Sequence, residues 1–119
     1  MKIAISATCS EMNSNIDVRF GRAKVFVIYD IESGEHTALE NTVQMNAVQG
    51  AGIQTAQNLA NAGIGAVLTG HCGPKAYKTL ASAGIDIFIG VDGTVADAIE
   101  AYKSGKLNKA SSPDVEGHW

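Results

Sequence analysis

The sequence predicts an α/β domain in which a β-hairpin and a set of parallel strands share one central sheet. Three observations point there. Short apolar runs of strand type come first, ahead of any helical pattern. After Gly50 helical periodicity alternates with short buried strands, as parallel pairing requires. Two nearly identical strings, Leu59-Ala60-Asn61-Ala62-Gly63-Ile64 and Leu80-Ala81-Ser82-Ala83-Gly84-Ile85, lie 21 residues apart and each leads into an apolar strand. Shared helix-stop chemistry explains them without internal duplication.

The elements follow in order. Ile3 to Ala7 is an almost continuous apolar run, the mark of a strand covered on both faces. The polar stretch from Thr8 to Asn15 is too long for a simple turn. Val25 to Ile31 is the second strand, Glu32-Ser33-Gly34-Glu35 a turn, and His36 to Val43 the returning arm of a hairpin. Ile53, Ala56, Leu59 and Ala60 share a helical face that Gly63 ends. Ala66 to Thr69 is a buried strand. Pro74 suits a first helical turn, and Ala76, Tyr77, Leu80 and Ala81 continue that helix to Gly84. Ile85 to Ile89 is the fifth strand. Thr94 with Asp97 forms a capping pair for a helix through Ile99 and Tyr102, stopped by Gly105. Residues 1–107 are thus one domain, and 108–119 a polar, irregular tail.

Composition narrows the class. With 45% apolar but only 6% aromatic residues, the core is built mainly from Ala, Ile, Val and Leu. A formal charge of −3 and the lack of a Lys/Arg stripe argue against nucleic acid as a partner. No apolar run approaches the roughly 20 residues of a membrane helix. The N-terminus reads as a strand rather than a signal peptide. Two cysteines are no disulfide framework. The expectation is a cytoplasmic protein with reduced thiols.

Alternation of direction places the functional loops. With the first strand running upward, the connection 8–24, the Met45–Gly50 segment, Gly70-His71-Cys72-Gly73 and Gly90-Val91-Asp92-Gly93 all fall at the carboxyl end of the parallel strands. Open α/β sheets bind ligands there. His36 falls at the opposite end. Two kinds of chemistry gather at the loop-rich pole. Cys9, Met12, Met45 and Cys72 carry sulfur, with His71 beside Cys72, a donor set suited to Cu(I), zinc or iron–sulfur species. Three helices start there, near Gly50-Ala51-Gly52, Gly73-Pro74 and Gly93-Thr94, where amides and dipole favour an anion. Arg19, Arg22, Lys24 and Lys75 add positive charge. Together these features suit an anionic, sulfur-rich metal cluster better than a bare divalent ion, with Cys72, His71 and Cys9 as the candidate metal ligands.

Each residue also has a plainer reading. A cysteine is commonly a small buried apolar residue, and a loop methionine commonly packs. Arg19 and Arg22 can pair with Asp17, Glu11 or Asp30. Gly50-Ala51-Gly52 lacks the GxxxxGK[ST] pattern of a phosphate loop. A thiolate nucleophile at Cys72 needs a base aimed at it, and the adjacent His71 is badly placed for that.

The strings Asp17-Val18-Arg19-Phe20-Gly21-Arg22-Ala23, Gly50-Ala51-Gly52-Ile53-Gln54-Thr55-Ala56 and Gly70-His71-Cys72-Gly73-Pro74-Lys75-Ala76 resemble the nitrogenase iron–molybdenum cofactor-biosynthesis accessory family, the group of NifX and the NifB C-terminal domain. The resemblance runs from Met1 to about Leu107, and Asn46 to Gly52 is most similar to the short stand-alone branch, the Orange-protein type of sulfate-reducing bacteria. It implies a ribonuclease H-like fold with a mixed five-stranded sheet and non-enzymatic carriage of a metal–sulfur cofactor. For that branch the implied cargo is an anionic molybdenum–copper sulfide cluster; another metal–sulfur cluster is also compatible. Where several relatives carry a histidine before the glycine run, this chain has Ala47, Val48 and Gln49, so no ligand is expected there. The competing expectations are a cysteine-dependent enzyme using Cys72 and a regulatory module acting through a partner ATPase.

Overall fold

The apolar run at the start of the chain forms β1 (Lys2–Ala7), the central strand of a five-stranded sheet. A short 3₁₀ turn (Phe20–Arg22) precedes β2 (Val25–Asp30), which pairs antiparallel with β1 and with β3 (His36–Glu40). Helix α1 (Ala51–Asn61) leads to β4 (Ile64–Leu68), parallel to β1; α2 (Pro74–Ser82) leads to β5 (Asp86–Phe88), parallel to β4. Helix α3 (Val95–Lys103) follows. The strand order is β3-β2-β1-β4-β5. The structure is a computed structural model in which residues 1–41 and 51–110 are described, Ala51 by its backbone. The last residues expected in the third strand, together with Met45 and Gly50, lie outside the described residues.

The expected mixed sheet with three helices is what the chain forms, an arrangement compatible with the ribonuclease H-like label. Element ends differ for local reasons. The second strand stops at Asp30 rather than Ile31, because the Asp30 carboxylate accepts the Glu32 N–H (2.9 Å) and its carbonyl accepts from Gly34 (2.8 Å), which starts the turn. The fourth strand starts at Ile64, directly after Gly63 has reversed the chain at φ 76°. The capping pair forms as expected: Asp97 N–H donates to Thr94 Oγ1 and Thr94 N–H to Asp97 Oδ2, each 3.2 Å. The first residues of the expected tail lie along β5. Lys109 bridges Phe88, and the Ala110 N–H donates to the Ile87 carbonyl (2.7 Å). Its ammonium also lies 2.9 Å from Asp86. These contacts cover the outer edge of β5, which a parallel sheet leaves open.

Two apolar layers hold the sheet. Ala4, Phe26, Ile28, Val67 and Ile87 face α1, α2 and the 3₁₀ turn, packing with Phe20, Ala56, Leu59, Ala76 and Leu80. Ile3, Ile5, Val27, Tyr29 and Leu68 face α3 and meet Val95, Ala98 and Ile99. Alternation along each strand produces this division. With β1, β2 and β4 covered on both faces, the ends of these strands are where loops can meet a ligand.

Candidate functional site

The connection from β1 to β2 is a long loop that the chain fastens at several points. The Ser6 hydroxyl donates to the Asp17 carbonyl (2.6 Å) and shares a hydrogen bond with the Thr69 hydroxyl (2.8 Å). Asp17 N–H returns to the Ser6 carbonyl at 2.9 Å. Ser6 and Thr69 are wholly buried, so this hydroxyl pair satisfies polar atoms that the apolar strands would otherwise strand. It also fixes where the loop leaves the sheet.

From there residues 18–20 lie against 70–72. His71 N–H donates to the Val18 carbonyl (2.7 Å) and Phe20 N–H to the His71 carbonyl (3.2 Å), a short parallel ladder in which Arg19 and His71 are partners. Bridge partners project to the same side, so both side chains stand together at the pole. The crossing is tight. A Cβ on Gly70 would lie 2.7 Å from Val18 Cα, which explains the first glycine of Gly70-His71-Cys72-Gly73 by backbone approach. Arg19 is anchored by Asp17, whose Oδ1 accepts its N–H (3.0 Å) and lies 3.7 Å from its Nε.

Cys72 follows immediately, but its side chain turns inward. It is fully buried among Phe20, Phe26, Leu59, Ala76 and Leu80, with its thiol 3.8 Å from the Gly73 carbonyl. Gly73 then caps α2 with extended backbone, and its carbonyl accepts from Tyr77 N–H (2.9 Å). Pro74 has no N–H, and the next two amides, those of Lys75 and Ala76, lie too early in α2 to find an acceptor within the helix. The Lys75 side chain is exposed. Arg22, at the end of the 3₁₀ turn, is half-buried and Lys24 exposed. Buried Asn41 ties that turn to α1, its Nδ2 donating to the Ala23 carbonyl (2.8 Å) and its Oδ1 accepting from Thr55 Oγ1 (2.9 Å).

Other candidates are used differently. The start of α3 is closed by the β1–β2 loop: Val95 N–H donates to the Ser14 carbonyl and Ala96 N–H to the Met12 carbonyl, each 2.9 Å. With Asp97 N–H on Thr94, the first-turn amides at Gly93-Thr94 are engaged within the chain. Met12 packs against the apolar layer under α3. Cys9 is exposed on the same loop, which is moored to α3, whereas Cys72 packs under α1 and α2. One thiol is thus open to solvent and the other sealed in the core. Gly52 opens the way for helix contact, since a Cβ there would be 3.1 Å from Ala76 Cβ, so its place in the glycine run has a packing reason. Gly50 lies outside the described residues. Among the described residues no group of three or more His, Cys, Asp or Glu side chains is arranged to hold a metal ion.

Arg19 and His71 thus stand together just ahead of α2, whose first turn carries Lys75, while Arg22 ends the 3₁₀ turn that follows Arg19 and Lys24 lies just beyond it. Sequence reasoning overlooked Ser6 and Thr69 as the fastening beneath them. The signal was present: each places a hydroxyl at the same end of an otherwise apolar strand.

Residues 1–105 match the family described as dinitrogenase iron-molybdenum cofactor. The orange protein from Desulfovibrio gigas, solved in its apo form, superposes with a TM-score of 0.93 at 35% identity, over 96% of either chain. A NifB-like protein from Thermotoga superposes with a TM-score of 0.84 at 33% identity, over 98% of either chain. An uncharacterized protein of Methanocaldococcus jannaschii is 34% identical over 112 residues, 92% of this chain and 91% of its own length. No helix among the described residues is long and apolar enough to cross a membrane.

Proposed function

The chain belongs to the dinitrogenase iron-molybdenum cofactor family, and from that footing we propose that it binds and carries an anionic metal–sulfur cluster without transforming it, the cargo being a molybdenum–copper sulfide. One observation carries the reading: the ladder that sets Arg19 beside His71 at the start of α2. A thiometallate is a diffuse anion rich in soft sulfur. The Arg19 guanidinium, the Lys75 ammonium and the amides of Lys75 and Ala76 offer charge and N–H donors to such a surface. Arg22 and Lys24 extend the positive rim. The resemblance to the orange protein, 35% identical throughout, supports this choice of cargo.

The site is proposed as Arg19, Arg22, Lys24, His71, Gly73 and Lys75, with α1 contributing through Ala51 and Gly52. Gly93, Thr94 and Cys9 are left out, because the first-turn amides of α3 are already engaged and Cys9 belongs to the loop that engages them. Burial of Cys72 favours electrostatic capture over a copper–thiolate bond, which would first require the thiol to leave the apolar layer it packs in. The same burial weighs against Cys72 as a nucleophile, since a substrate has no path to it in this conformation.

Reconstitution with tetrathiomolybdate and Cu(I), then gel filtration and metal analysis, tests the proposal. Molybdenum and copper should elute with the protein, and Arg19→Gln with Lys75→Gln should lose both. Absence of retained molybdenum, with or without copper, ends the cluster reading. Cys72→Ser should keep the cargo; its loss would move the anchor to the thiol.

A further inference from the structure

Asp17 is the one residue of the Asp17–Ala23 string whose charge opposes the proposed cargo, yet it is the best fastened. Its backbone is held by Ser6 on both sides, through N–H to carbonyl (2.9 Å) and carbonyl from hydroxyl (2.6 Å). Its side chain is only 14% exposed and meets Arg19 twice, at the backbone N–H (3.0 Å) and at Nε (3.7 Å). Arg19 itself is 53% exposed. A carboxylate held by the sheet therefore faces an arginine that projects from the pole.

We infer that Asp17 is an internal counter-ion: it holds the Arg19 guanidinium by its Nε edge while the site is empty and competes with an anionic guest for that same charge. The inference deepens the reading above and rests on it. A carrier must release what it binds, and a fixed carboxylate beside the principal cation weakens the complex without removing the donors that recognise it. Asp17 is thus a positioning residue that sets how long the guest stays.

Asp17→Asn tests this, because an amide oxygen can still accept the Arg19 N–H while the charge is lost. The probe is tetrathiomolybdate alone, followed by its visible absorption in equilibrium dialysis and in stopped-flow displacement. The variant should bind about two- to five-fold more tightly, the span expected for a partly exposed ion pair, with the gain in a slower off-rate. In an Arg19→Gln background the same change should give no gain, since the effect runs through Arg19. A gain of equal size there would replace the inference with general charge repulsion. Unchanged or weaker binding by Asp17→Asn would overturn it. Asp17→Ser, which keeps a turn-forming oxygen, serves if the asparagine variant fails to fold. Wild-type protein that binds no tetrathiomolybdate refutes the carrier reading instead, so the two failures are distinct.

Discussion

Gly70→Ala is the sharpest test of how this site is built. Gly70 does not take a positive φ, so an alanine meets no backbone penalty. The obstacle is steric. The new Cβ would lie 2.7 Å from Val18 Cα and Cβ and 2.8 Å from the Val18 carbonyl oxygen. Two of those three atoms are backbone, so the 18–20 segment must move away from 70–72. Overpacking of this kind costs about 1–3 kcal/mol. Separation also strains the His71-to-Val18 and Phe20-to-His71 hydrogen bonds, each worth about 1 kcal/mol net. The expected loss is therefore roughly 2–4 kcal/mol. Gly52→Ala is the control. Its Cβ would be 3.1 Å from the Ala76 Cβ, and the helix propensity gained, about 1 kcal/mol, offsets much of that squeeze. Urea unfolding followed by far-UV circular dichroism gives both values, and amide exchange at His71 shows whether the ladder has opened. A Gly70→Ala variant within about 0.5 kcal/mol of wild type, or as stable as Gly52→Ala, would refute the crossing.

Further predictions follow from individual contacts. Iodoacetamide should alkylate exposed Cys9 readily in the native protein and reach buried Cys72 only on unfolding; equal rates read by mass spectrometry would contradict the burial. Thr94→Ala removes the acceptor of the Asp97 N–H and should cost about 1 kcal/mol in chemical denaturation, with no change in tetrathiomolybdate binding. Backbone N–H donation from Glu32 holds the Asp30 carboxyl below its usual value, with the nearby N-terminal amine and Lys2 adding to it. Its contribution is present above the ordinary carboxylate pKa and lost as pH falls through the lower folded value. Asp30→Asn should therefore flatten the stability curve below about pH 4, and an unaltered acid limb would count against the assignment.

The sequence by itself determined the order of elements, the pole at which the loops gather and most helix ends. These depend on local or periodic chemistry: apolar runs in β1 and β4, the glycines after α1 and α2, and the Thr94–Asp97 cap act within a few residues of one another. Tertiary structure decided what each candidate does. Cys72 and Cys9 were both candidate ligands on sequence; the fold buries the first and exposes the second, a difference set by packing that neither local string carries. Gly70 is explained only by Val18, and the amides at the start of α3 only by Met12 and Ser14, all distant in the chain. Asp17 shows the division most plainly. Its sequence position next to Arg19's turn made an ion pair foreseeable, whereas Ser6, which holds it in place, and Thr69, which pairs with Ser6, come from β1 and from the residue just past β4, which only the folded sheet sets side by side.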